Sequence, residues 1–187
     1  MIGARPFTDD ECTKILANCP SLRMKCLFVL GVKTGFRISE LLSLTIKEAS
    51  DAVKYKRLKV QRCNMKGETS SRSVPLGDAA HGALEAYLIA RCEEYHAHPD
   101  GYSTLARLFP FGRMHAHRLL KEAVHAAGLT GSYSTHSMRK TFARRVYHAL
   151  GKDLVNTQRA LGHASVSSTV KYLSFDQEAI DKAIIGE

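Results

Sequence analysis

Glycine and proline cut this chain into pieces the length of short helices, and that punctuation restricts it to a bundle of modest elements. Thr8, Asp9, Asp10 and Glu11 form a capping box, so a helix should begin near Asp9 and stop before Pro20. Leu22–Thr34 reads as a second helix with an apolar body, and Gly35 supplies its C-terminal stop. A short third helix is expected over Arg37–Ser43. Arg57–Cys63 and Ser71–Val74 have β character and flank a polar turn centred on Gly67, which predicts a hairpin with Lys66 at its tip. Asp78–His96 reads as a long amphipathic helix with Ala79, Ala83, Ala86, Tyr87 and Ala90 on one face. Ala97–Gly112, with Pro99, Gly101 and Pro110, is a loop. Further helices are expected at Arg113–Ala127 before Gly128, Thr135–Leu150 before Gly151, Asp153–Leu161, Val166–Leu173 and Gln177–Ile184. The fold class that follows is mainly α with a small antiparallel β-sheet (α+β).

At 187 residues the chain suits a single domain, and its 44% hydrophobic content supports a core without disulfides or metal. No stretch approaches the roughly 18–20 apolar residues of a membrane span. The N-terminus lacks the apolar segment of a signal peptide, so a soluble, unsecreted protein with no membrane partner is expected. The five cysteines form no C-x-x-C pair and read as reduced thiols, mostly buried. His96 and His98, and His115 and His117, have no partners at usual ligand spacing, so no metal site is expected. A formal net charge of +9 favours a polyanionic partner, although charge alone fits a merely basic protein equally well.

Four segments concentrate reactive side chains that packing does not demand. Arg37 and Glu40 stand i,i+3 within Thr34–Leu42, where a carboxylate can orient a guanidinium. His136 and Arg139 share that spacing at the start of a helix, whose positive dipole end favours an anion. Leu161, Gly162 and His163 precede Tyr172 by a helical stretch, and Lys66 sits on the hairpin. Taken singly, each has a plainer reading: a surface ion pair, a chance H-x-x-R, a packed aromatic and a solvated turn residue.

Together, their order and spacing resemble the tyrosine recombinase (phage integrase) family: R-x-x-E, a hairpin lysine, H-x-x-R, then L-G-H followed nine residues later by tyrosine. The resemblance runs from about Phe7 to Leu173 and includes T-G-x-R-I-S-E-L at Thr34–Leu41 and S-R-x-V-P-L at Ser71–Leu76. It implies an active site of Arg37, Lys66, His136, Arg139, His163 and the nucleophile Tyr172, with Glu40 in support. In that chemistry two guanidiniums neutralise the non-bridging oxygens of a phosphodiester, and His163 is a further donor. A phenol has a reference pKa of about 10, so its attack needs a base, for which His136 is the candidate. Lys66 would protonate the departing 5′-oxygen. The product is a covalent phosphotyrosine that stores the bond energy for religation without ATP.

The resemblance further implies a DNA strand-breaking and rejoining enzyme with no cofactor and no metal, its partner double-stranded DNA. Arg72, Lys140 and Arg144 are expected as additional DNA contacts. Self-association on DNA as a tetrameric synapse is implied for a full-length protein, in the cytoplasm at the nucleoid of a bacterial or phage-encoding cell. The family's usual N-terminal DNA-clamping domain is expected to be absent from this chain, which reads as one catalytic domain with a tail helix after Leu173. Two alternatives stand beside a site-specific recombinase: a type IB topoisomerase-like relaxing enzyme, and a non-catalytic DNA-binding module of the same fold. A mere binder needs neither Tyr172 nor Lys66.

Overall fold

The computed structural model describes residues 4–61, 71–96, 103–173 and 184–185. Among these residues nine helices and a two-stranded sheet follow in the order α1 (Asp9–Ala17), α2 (Leu22–Thr34), α3 (Ile38–Leu42), α4 (Ile46–Tyr55), β1 (Arg57–Val60), β2 (Arg72–Pro75), α5 (Asp78–His96), α6 (Arg113–Ala126), α7 (Thr135–Ala149), α8 (Leu154–Leu161) and α9 (Val166–Leu173). The expected class, mainly helical with one small antiparallel sheet, is the observed one. The hairpin tip with Lys66, and all of the expected tail helix but Ile184, lie outside the described residues.

The start and stop signals act as their chemistry predicts. Thr8 Oγ1 accepts from the Glu11 amide at 3.2 Å while the Glu11 carboxylate accepts from the Thr8 amide at 2.9 Å. Gly35 ends α2 in the left-handed conformation, φ +65°. One helix was not anticipated. α4 opens on a second capping box, Thr45 with Glu48, and buries Ile46, Ala49 and Ala52 on a single stripe.

α2 is the axis of the domain. Met24, Cys26, Leu27, Phe28 and Leu30 are fully buried along it, and α5 and α7 pack on either side. The face that α5 presents differs from the expected one: Ala80, Leu84, Tyr87 and Arg91 are buried, whereas Ala79 and Ala86 are exposed. Alanine is nearly indifferent to which side it faces, so the larger Leu84 and Tyr87 set the rotation of the helix. The stretch 103–112 has no helix of its own but docks on α4 through Lys47 N to Thr104 O at 2.8 Å and Ile46 N to Ala106 O at 2.9 Å. That docking seats Leu108 and Phe109 in the core. In the sheet, Leu58 pairs with Val74 and Val60 with Arg72; Leu58, Val60 and Arg72 are buried.

α8 and α9 stand apart from this core. They close on α7 through a smaller cluster of Phe142, Ala143, Leu161 and Leu173, with Val146, Tyr147, Leu154 and Tyr172 at its edge. Few buried apolar contacts make for a low local unfolding free energy, so this cluster is expected to open more readily than the larger core.

α2 and α7 meet closely where the glycines of α2 leave room. A Cβ on Gly31 would lie 2.6 Å from Met138 Sδ, and one on Gly35, just past the end of the helix, would overlap the Phe142 ring. Gly35 also has a positive φ, which L side chains rarely adopt. Gly35→Ala should therefore destabilise the domain by about 2–4 kcal/mol, combining left-handed strain with overpacking. Urea unfolding checks this; a loss below about 0.5 kcal/mol would show that α7 can shift away at little cost.

Candidate active site

The turn Gly35–Phe36 leads from α2 into α3 and places Arg37 at the start of that short helix. Glu40, fully buried, accepts from the Arg37 amide at 2.7 Å through Oε2 and from Arg37 Nη1 at 2.7 Å through Oε1. Its Oε2 also stands 4.0 Å from Arg139 Nη1, so a single buried carboxylate lies between two guanidiniums contributed by α7 and the α2–α3 turn. A buried charge needs such partners, and the pairing fixes the planes of both arginines.

Arg139 is 1% exposed, an extreme burial for this residue type. Its Nη1 donates to Gly35 O and its Nη2 to Leu161 O at 2.8 Å. Arg72 makes the parallel connection one residue earlier on each side, from Nη2 to Thr34 O at 2.8 Å and to Ala160 O. These four carbonyls belong to the C-terminal ends of α2 and α8, where orphan acceptors and the negative end of the helix dipole both favour cations. Two arginine side chains thus join α8, and His163 just beyond it, to the turn that carries Arg37. The Arg72 guanidinium lies 4.6 Å from the Phe36 ring centroid, a cation–π contact that helps a buried charge tolerate its surroundings.

Gly162 ends α8 at φ +67° and turns His163 back toward the site. Gln158 holds that turn, its Nε2 donating to His163 O at 2.9 Å. His163 Nδ1 is 2.9 Å from Thr169 Oγ1. Burial, followed by the charges of Arg139, Arg37 and Arg72, pushes the His163 pKa down to about 4. His136, on the first turn of α7, is also lowered, by burial first and then by Arg139, Lys140 and Arg37. Both imidazoles are therefore neutral near pH 7, with a ring nitrogen able to accept a proton.

Tyr172 completes the cluster. Its hydroxyl is 3.3 Å from His136 Nδ1, its ring centroid is 5.0 Å from that of His163, and the Arg139 guanidinium lies 5.6 Å from the ring centre. The structure thus brings together Arg37, Glu40, His136, Arg139, His163 and Tyr172, all from one chain. Lys66 lies outside the described residues. Of the three expected DNA contacts, Arg144 is exposed and Lys140 half-buried. Arg72 is buried beneath the site and directed at main-chain carbonyls, so it is not a surface contact. Sequence reasoning missed this bridging role of Arg72 and the placement of Thr169 against His163.

Comparison with known proteins identifies the family. A sequence profile of the Phage integrase family matches residues 5–178. The chain is similar to the tyrosine recombinase XerD of Caulobacter vibrioides, with 34% identity over 87% of this chain and 55% of the relative. It is similar to XerD of Corynebacterium glutamicum at 31% identity over 96% of this chain and 55% of the relative. The chain spans about half the length of these XerD relatives. Among solved structures, the XerA recombinase superimposes with a TM-score of 0.77 at 22% identity, covering 98% of this chain and 64% of that one. The XerH site-specific recombinase bound to its difH substrate gives 0.66 at 25% identity, covering 96% of this chain and 53% of that one. Fold and sequence similarity coincide over nearly the whole chain, which belongs to the phage integrase family.

Proposed function

We propose that this chain is the catalytic part of a site-specific DNA recombinase that breaks and rejoins strands through a 3′-phosphotyrosyl intermediate. The observation that carries the reading is the position of the Tyr172 hydroxyl, 3.3 Å from His136 Nδ1, with the buried Arg139 guanidinium against its ring. Tyr172 Oη attacks the scissile phosphorus as its proton passes to His136 Nδ1, so the P–Oη bond forms in cis. Arg37, Arg139 and His163 donate to the non-bridging oxygens as charge develops on them. The P–O5′ bond breaks, and the departing oxygen takes a proton from Lys66. One phosphodiester replaces another, so religation needs no ATP, and the arginines supply the charge neutralisation that a divalent cation gives elsewhere.

The partner in this proposal is double-stranded DNA, which the surplus of basic residues favours. Self-association on DNA into a four-subunit synapse, and a place in the cytoplasm at the nucleoid, belong to the same proposal. Among the described residues no helix is long and apolar enough to cross a membrane.

Incubation with a nicked suicide duplex at low salt in the presence of a chelator tests the reading. The expected product is a denaturant-resistant protein–DNA adduct with a free 5′-hydroxyl on the released strand. Because His136 is held below the ordinary histidine pKa of about 6.5, its proton-accepting form is already dominant at neutrality. The initial rate should stay level from pH 7 to 8 and fall only in the acid range below the ordinary histidine pKa of about 6.5. No adduct at any pH, or a strict requirement for divalent metal, would contradict the proposal.

A further inference from the structure

We propose that Thr169 is a positioning residue that fixes His163 in the tautomer with its ring proton on Nε2, so that seating the nucleophile helix also sets the hydrogen-bonding state of the site. The evidence lies in what four other helical threonines do. Thr13, Thr34, Thr141 and Thr157 each donate their hydroxyl to the carbonyl four residues earlier, at 3.0, 2.6, 2.9 and 2.6 Å. Thr169 departs from that habit. Its hydroxyl partner among the described residues is His163 Nδ1 at 2.9 Å, and the residue is fully buried, away from water.

A buried hydroxyl proton needs an acceptor, and here the acceptor is the Nδ1 lone pair. With Nδ1 accepting, a neutral imidazole must carry its proton on Nε2. The reverse assignment, Nδ1–H donating to Oγ1, would leave the buried threonine proton without a recorded acceptor among the described residues. His163 is neutral near pH 7, as its low pKa requires, so tautomerism and not charge decides what the ring can do. The Nε2–H form is the one that offers a donor outward while Nδ1 is held inside. Thr169 and Tyr172 stand i,i+3 on α9, and α9 is held by the smaller and more easily opened cluster. When α9 lifts, His163 loses the contact that selects its tautomer. When α9 seats, nucleophile and donor are set by the same motion.

The functional half of this inference rests on the reading of His163 as a phosphate donor; the tautomer itself does not, because it is measured without DNA. Long-range proton–nitrogen NMR at pH 7.5, with His163 assigned by the spectrum of His163→Gln, should show the Nε2–H form in the free protein. Thr169→Ser keeps the hydroxyl and should keep that form. Thr169→Val keeps the shape and loses the hydroxyl, so the ring should shift toward a mixture of tautomers. On the nicked duplex, Thr169→Val should cleave roughly tenfold more slowly with unchanged DNA affinity, and Thr169→Ser should stay within about threefold of wild type. An Nδ1–H tautomer in the wild-type protein would overturn the proposal whether or not the valine variant folds. The expected tautomer shift with full cleavage by Thr169→Val would instead refute the donor role of His163 and leave the assigned tautomer standing.

Discussion

Replacing Arg139 by alanine should lower the single-turnover rate of DNA cleavage by about 10²–10³, the effect of removing one preorganised donor to a developing oxyanion. The structure adds a second consequence. Arg139 is fully enclosed, bridges Gly35 and Leu161 through its two Nη atoms, and faces the buried Glu40. Its removal leaves a buried carboxylate with less compensation and two helix-end carbonyls without their donor. Glu40 keeps its pairing with Arg37, so the cost falls mainly on the two carbonyls, about 1–3 kcal/mol for each buried group left unsatisfied, against the roughly 5–15 kcal/mol that holds a domain of this kind together. The variant should therefore unfold at distinctly lower urea, and cleavage must be compared under conditions where both proteins are folded. DNA affinity should fall far less, since one phosphate contact among many is a small part of binding. Equal losses in affinity and cleavage would make Arg139 a docking residue and nothing more.

The elements that could be read from the sequence are those whose causes are local. A capping box at Thr8 and a left-handed glycine at Gly35 each settle a boundary within a few residues, and α2 and α5 span the residues expected of them. α4 carried the same kind of signal in Thr45 and Glu48 but was missed, because its stripe of one isoleucine and two alanines is short and weakly apolar. The face of α5 differs for a related reason: four alanines and Tyr87 suggest a stripe, and burial of Leu84 beside Tyr87 turns the helix so that Ala79 and Ala86 face out.

In the site, R-x-x-E and H-x-x-R are spacings within single helical turns, and the family resemblance supplied their long-range association. Arg72 shows where that information ends. Beside a polar hairpin an arginine looks like a surface charge, yet its partners are carbonyls 38 and 88 residues away along the chain. No local pattern encodes such a pairing. Thr169 is similar: a threonine in a helix ordinarily bonds within its own turn, and only the position of His163 after Gly162 draws it elsewhere.

Strand cleavage turns on the hydroxyl of Tyr172. Tyr172→Phe removes a single oxygen and keeps the ring that packs beside His163 and over Arg139. Folding and non-covalent DNA binding should survive nearly unchanged, within about 0.5 kcal/mol. What must vanish is the covalent product, because Tyr172 carries the one hydroxyl placed beside His136 among the described residues of the cluster. The decisive measurement is the yield of denaturant-resistant adduct on a nicked duplex, at low salt and with chelator, for wild type and Tyr172→Phe side by side. The structure predicts an adduct for wild type and none for Tyr172→Phe, with equal duplex binding by both. An adduct that persists in Tyr172→Phe would place the nucleophile elsewhere and contradict the site described above.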